Sequence, residues 1–444
     1  MKKNLKYLAI ILIANLSFLF SPPPNEEALN KGYHSYIPLN NYMGVTINGD
    51  SYIFIDCAIH PSALMQQNSF RQARAFYVMA GAALGNSVYY LTTLLHPTMD
   101  RYLEEKNIFQ TEYTVSHPEE RTKYFFFYTG YVILNIIILF FSLLLFERII
   151  IALSGNWKNG SLLFAMLLLM LASNQETKFF FWTPHQQLLN ILTPLLCLHT
   201  GILILTRRIN FRKLMLLSLA MGLLLLTYGN MLLLLPVFVC GYLYIEKKQQ
   251  NRLRIACLLR AIIITIVFFL PMILWIIWLR SAGITFYNPE LEEYREFVWI
   301  TDALKNSNSS VFRVILSHSY HYILTFGCLI IPLLFLLIAY LIYKRNADPS
   351  RSIRNHLDDL MPYTGRLLLF VFVETFLFFW LVGYYADRLT FSLVPVLFCY
   401  TTLILNIQKL DKKTITGLIL LIILYHLYNV FITPLHFSDI RFYS

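Results

Sequence analysis

The feature that most constrains this chain is a series of eleven apolar blocks, each from 14 to about two dozen residues long. They lie near 7–20, 124–147, 160–173, 187–206, 213–228, 230–245, 256–278, 320–343, 365–383, 388–406 and 414–433. An α-helix needs roughly 20 residues to cross the hydrocarbon core of a bilayer. Inside that core every backbone amide must bond within its own helix or within a closed barrel. Blocks of this length select the helix, and nothing in the chain reads as the ~10-residue alternating strands of a membrane barrel. Of 444 residues, 57% are hydrophobic and 14% charged, against about 25% charged in soluble chains. The reading is an all-α membrane protein with about eleven transmembrane helices, one polytopic domain over residues 1–444.

The net charge of +11 does not point to nucleic acid. Lys and Arg cluster in the short connections between apolar blocks, where they set orientation. A semi-apolar run from Phe76 to Leu95 decides the topology. If it does not span, 22 of the 36 Lys and Arg fall on the cytoplasmic side and 14 on the other; if it spans, the totals exchange. The positive-inside rule therefore reads 76–95 as lying in the outer interface or re-entering. No small-x-small cleavage site precedes Ser21-Pro22-Pro23-Pro24, so the first block reads as a retained helix. The expected protein sits in the plasma (inner) membrane with its N-terminus cytoplasmic and its C-terminus extracytoplasmic.

This orientation gathers 21–123, 174–186, the turn at Tyr228-Gly229-Asn230, 279–319 and 384–388 on one outer face. A structureless loop of ~100 residues is implausible, so 21–123 is expected to carry juxtamembrane helices, one of them near Pro97–Lys106. Residues 289–303 read as a single amphipathic interfacial helix with Pro289 in its first turn. The six cysteines form no CxxC or paired pattern, so neither a disulfide framework nor a metal site follows.

Ionisable residues on these outer segments are the candidate site. Asn48-Gly49-Asp50-Ser51 holds a carboxylate that partial desolvation at an interface would raise toward neutrality, the state of a general base; the same residues also favour a plain turn. Asp56 is a second acid, as orienting group or metal ligand, although six residues place it off the face of Asp50 in a helix. Arg71 and Arg74, three apart, suit a phosphate or lipid headgroups. Glu176 and His185 flank a dense polar turn around Trp182-Thr183-Pro184, which would line the same cavity or form an aromatic belt with a helix cap. Arg388, almost the only cation in a short outer turn, would meet a phosphate leaving group or pair locally with Asp387. Glu374, His199 and His426 lie inside apolar blocks, and His318 and His321 top a span.

The order of one span, then Gly49-Asp50-Ser51-Tyr52, then Phe70-Arg71-x-x-Arg74-x-Phe76-Tyr77 entering a semi-apolar helix resembles the start of the GT-C superfamily of polytopic glycosyltransferases. Tyr384-Tyr385-Ala386-Asp387-Arg388-Leu389 through Pro395 resembles that family's late Arg-then-Pro segment. The motifs cover about a tenth of the chain. The resemblance implies inverting transfer of a sugar from a polyprenyl-phosphate donor, on the outer face, to a glycan, lipid or protein acceptor. Asp50 would then deprotonate or orient the acceptor hydroxyl, and Arg388 would meet the departing lipid phosphate. Ala75 stands where the family has a proline, and Ser51 where some members carry a second acid. These departures leave a divalent metal cofactor open. The alternatives are a membrane transporter or flippase, on account of Glu374 and the intramembrane histidines, and a polymerase or ligase of envelope polysaccharide.

Overall fold

The computed structural model describes residues 2–24, 27, 34–40, 43–106, 108–109, 118–250, 254–305, 311–346, 363–433, 435 and 441–442. Each of the eleven apolar blocks is helical within it. In chain order the helices are α1 (Lys2–Ser17), α2 (Gly49–Ile59), α3 (Ala75–Leu91), α4 (His96–Glu105), α5 (Pro118–Ser154), α6 (Ser161–Ala172) and α7 (Gln175–Phe180). They continue with α8 (Leu189–Leu205), α9 (Phe211–Leu225), α10 (Leu234–Gln250), α11 (Ile255–Ser281), α12 (Pro289–Glu292) and α13 (Val298–Lys305). The last are α14 (Val311–Leu324), α15 (Ile330–Asn346), α16 (Thr364–Val382), α17 (Asp387–Thr390), α18 (Val394–Ile407) and α19 (Lys412–Phe431). Among the described residues, eight helical segments are long and apolar enough to cross a bilayer, and nine if the bent pair 72–91 and 93–105 counts as one span. The blocks at 7–20, 160–173 and 213–228 form the shorter α1, α6 and α9. The chain is a multi-pass, nearly all-α membrane protein.

Two small antiparallel pairs depart from the all-α reading. β1 (His34–Pro38) pairs with β2 (Gly44–Asn48), and β3 (Tyr385–Ala386) with β4 (Arg441–Phe442). β2 carries the β-branched run Val45-Thr46-Ile47 and is buried throughout. The Thr46 hydroxyl donates to the carbonyl of Leu435, and the Thr46 carbonyl accepts from Thr183 at 2.9 Å. The strand therefore enters α2 along a fixed course.

The bundle has two chemically distinct ends. At one, Lys6 pairs with Glu147, Lys158 reaches the carbonyl of Ile407, and Asn159 bonds to the backbone of 405, 408 and 410. At the other, α2, the start of α8 and the start of α17 converge. From this second end α5 runs through the bundle toward Glu147, whereas α3 follows α5 the other way. Ala would not fit at Gly81 or Gly85, because its Cβ would fall 2.1 Å from the Tyr131 ring or 2.6 Å from Phe127; at Gly130 it would meet the backbone of Gly85 at 2.6 Å. Further along, Tyr89 meets Phe126 edge-on and His96 lies tilted against it. α3 thus leads back along 118–131, away from the end that carries Glu147, before the chain bends by 68° into α4.

The expected helix near Pro97–Lys106 is present as α4, with Pro97 in its first turn. The single helix expected over 289–303 is not. The chain forms α12 and α13 instead, separated at Arg295 (φ 52°) and Phe297 (φ 64°), left-handed values that end a helix. The reason is tertiary. The amide of Phe297 donates to the carbonyl of Val382 at 2.9 Å, and Trp299 donates to that of Leu381 at 2.9 Å. Gly383 (φ +80°) makes room for the Trp299 ring, which a Cβ there would meet at 2.2 Å. His318 stacks on Trp299 at 4.0 Å and bonds to the Tyr385 hydroxyl at 3.0 Å, so it serves this docking.

Candidate functional site

A cavity of about 610 Å³ opens at the end of the bundle where α2, α8 and α17 begin, within the range of ligand pockets, ~300–1,000 Å³. Asp50, Arg71, Arg74, His185 and Arg388 all line it. They come from four stretches of chain up to 338 positions apart in numbering, and each is placed by local chemistry.

Asp50 sits in the first turn of α2. The side chain of Asn48 caps that helix, accepting from the amide of Ser51 at 3.0 Å and from its hydroxyl at 2.7 Å. The residues that favour a turn form the cap itself, which aims the Asp50 carboxylate into the cavity, and the helix N-terminus favours its charge. Arg71 Nη2 lies 2.7 Å from Asp50 Oδ1 and 3.4 Å from the Asp50 carbonyl, and its guanidinium stacks 4.1 Å over the Phe54 ring. His185 Nε2 lies 3.4 Å from Asp50 Oδ2. Because His185 Nδ1 accepts the amide of Gln187 at 3.2 Å, the ring proton resides on Nε2 and points at Asp50.

This corrects the expected state of Asp50. Burial does push its carboxyl upward, but the hydrogen bond from His185 and the charges of Arg71 and Arg74 win, holding it well below the usual carboxylate range. Burial lowers His185 to about 4, with Arg388 and Arg74 acting in the same direction and Asp50 opposing. At neutral pH the pair is an anionic Asp50 and a neutral His185.

Arg71 and Arg74 do not share a helix face. They precede α3, around the 3-10 turn Gln72–Arg74, and reach different partners: Arg71 takes Asp50, and Arg74 pairs with Glu290 of α12. Gln72 joins the two loops, its Oε1 accepting from the amide of Tyr287 at 2.8 Å and its carbonyl from Trp275 at 3.0 Å. Arg388 stands at the start of α17, its Nη2 3.1 Å from the Tyr384 hydroxyl. Its carbonyl accepts from Asn190 at 2.7 Å, Asn190 accepts from Asn230 at 2.7 Å, and Asn230 accepts from Thr193 at 3.2 Å. This buried polar chain ties α8, the Tyr228-Gly229-Asn230 turn and Arg388 into one floor.

Asp56 and Glu176 do not line the cavity. Asp56 points off the Asp50 face of α2, and burial raises its carboxyl to about 6, moderated by His60. Glu176 is buried in α7, which Asn174 caps through the amide of Thr177. It bears electrostatically on Tyr228, which does line the cavity and whose phenol burial pushes up. Sequence reasoning missed Glu290, Glu296, Tyr228, Tyr294, Tyr384 and the Asn190–Asn230 pair. Asn190, a polar residue one turn into an apolar block, was the available signal; two glutamates in a segment read as one amphipathic helix gave none.

Part of the cavity lining is apolar, with Phe269 and Met272 of α11, Phe378, Phe379 and Val382 of α16, and Leu225 at the end of α9; the charged side chains line the same space. Among the described residues, no three His, Cys, Asp or Glu side chains form a metal-ligand group. The Asp50 and Glu290 carboxylates are each paired with a different guanidinium, Arg71 and Arg74, so this donor set does not fit a divalent ion. His426 lies between the hydroxyls of Ser17 and Ser173 and is held by both. Both carboxyl oxygens of Glu374 and Nδ1 of His199 have no hydrogen-bond partner among the described residues. Comparison of the chain with protein-family models, with curated proteins and with solved structures returns no match.

Proposed function

We propose that the chain is a GT-C-like glycosyltransferase that moves a sugar, with inversion, from a polyprenyl-phosphate donor to an acceptor hydroxyl in this cavity. The observation that carries the reading is the meeting of a carboxylate with three arginines beside apolar side chains: Asp50, Arg71, Arg74 and Arg388 line one space with Phe269, Phe378 and Phe379. An amphiphile with a phosphate head and an isoprenoid tail needs both kinds of lining. Basic residues crowd the opposite end of the bundle, and the positive-inside rule supports reading that end as cytoplasmic and the cavity as extracytoplasmic.

Asp50 is too weak a base, held ionised as it is, to strip a proton from a resting hydroxyl. It orients that hydroxyl as a charged hydrogen-bond acceptor, and takes the proton once bonding to the sugar carbon has made the oxygen acidic. Arg388 and Arg74 neutralise the phosphate as its bond to C1 breaks, Arg74 exchanging Glu290 for the phosphate.

The test is transfer from polyprenyl-phosphate sugars by purified protein in proteoliposomes. Asp50→Asn should lower turnover by about 10²–10⁴-fold with the thermal midpoint kept; full activity in that variant ends the assignment. Glu374, whose carboxyl oxygens lack hydrogen-bond partners at mid-helix, favours a transporter as the second reading. A substrate or proton flux in the same proteoliposomes, abolished in Glu374→Gln, would decide for it.

A further inference from the structure

Asp50 is not the cavity's only carboxyl, and the second kind is handled differently. Glu296 lines the cavity together with Glu290, Arg74 and Arg388. Its amide donates to the carbonyl of Glu290 at 2.9 Å, and the left-handed residues Arg295 and Phe297 flank it on either side. That double reversal turns Arg295 outward to its ion pair with Asp302 and leaves Glu296 against the cavity.

We propose, resting on the reading above, that protonated Glu296 donates a hydrogen bond to the lipid phosphate held by Arg74 and Arg388, and gives it a proton as the sugar leaves. The step balances. The C1–O bond to phosphate breaks with its electron pair passing to the phosphate oxygen, which takes the Glu296 proton. The acceptor oxygen bonds C1 and loses its proton to Asp50. Water then removes the proton from Asp50 and another restores Glu296.

The surroundings of the two acids support this division. Asp50 faces Arg71 and His185 and stays charged. Glu296 faces Glu290 on its own loop, Arg74 before α3, Arg388 on α17 and the Tyr228 phenol. Burial, reinforced by Glu290, raises it to about 8 against the pull of the two arginines. Two carboxyls whose environments push them apart divide the acid and base roles of a site. An ionised Glu296 would also repel the phosphate, so protonation and binding are linked.

The experiment is equilibrium binding of a long-chain polyprenyl monophosphate to the full-length protein in nanodiscs between pH 7 and 9.5, where the phosphate is already a dianion. Wild-type affinity should fall by up to about tenfold per pH unit above 8. In Glu296→Gln, whose amide keeps a donor but cannot ionise, the affinity should stay level over the same range while turnover falls. An alkaline loss of binding unchanged by Glu296→Gln, in a variant with a wild-type thermal midpoint, overturns the role of Glu296. No saturable binding at any pH, or binding indifferent to Arg74→Gln and Arg388→Gln, overturns the phosphate site itself.

Discussion

The chemistry of the site turns on the pairing of His185 with Asp50. His185 is neutral and its one proton is committed to Asp50, which helps hold that carboxyl ionised. Removing the donor in His185→Phe lets Asp50 climb toward the usual carboxylate range. The sign is fixed: a group held below its ordinary value is charged down to lower pH, and loses that advantage when its partner goes. The acid limb of a kcat/KM profile should therefore move to higher pH in His185→Phe, with activity at pH 4 falling more than at pH 7. Lys178 offers a structural counterpart. It is fully buried, and its ammonium donates to the carbonyls of Asn429, Val430 and Thr433, where α19 ends. Lys178→Met takes their donor from the Asn429 and Thr433 carbonyls, while Ser21 still donates to that of Val430 at 2.8 Å, at a cost of about 1–3 kcal/mol, visible as a lower thermal midpoint in detergent.

Among the elements, α3 and the α12–α13 segment decide the shape of the cavity. α3 approaches α5 so closely that Gly130 and Gly85 touch backbone to backbone. Gly130→Ala inserts a methyl where nothing but main chain can yield. Overpacking of that kind costs about 1–3 kcal/mol, and the variant should unfold at lower temperature than Gly417→Ala, at a glycine with open space around it. The α12–α13 segment shows where helical reasoning fails. Pro289 and the following acids begin a helix as their chemistry requires, but Trp299 and Phe297 are claimed by the end of α16. Periodicity describes one segment at a time and carries no account of a partner 82 positions away.

At the level of the whole molecule the open question was the run ending at Leu95. The charge count reads it as lying outside the set of spans, whereas the bent pair 72–91 and 93–105 is long and apolar enough to count as one span. Leu94 is 95% exposed and serves as a reporter. In a cysteine-free background, Leu94→Cys and Glu292→Cys should both react with an impermeant maleimide in intact cells, while Lys213→Cys should not. Labelling of Leu94→Cys only after the membrane is opened would make α3 and α4 a crossing pair.

The apolar blocks and the placement of basic residues were legible because a bilayer acts on each stretch of chain separately: length answers hydrocarbon thickness, and each cation counts by itself. Asp50, Arg71, Arg74, His185 and Arg388 could be picked out on the same ground, since charge near an apolar block is costly wherever it occurs. What the linear order could not contain was the pairing. Whether Arg71 or Arg74 takes Asp50, that Asp50 is held ionised rather than raised, and that Glu290 and Glu296 belong to the cavity at all, are consequences of distances between segments from 21 to over 200 positions apart. Burial and Coulomb interaction depend on those distances, so only the packed bundle set the protonation states.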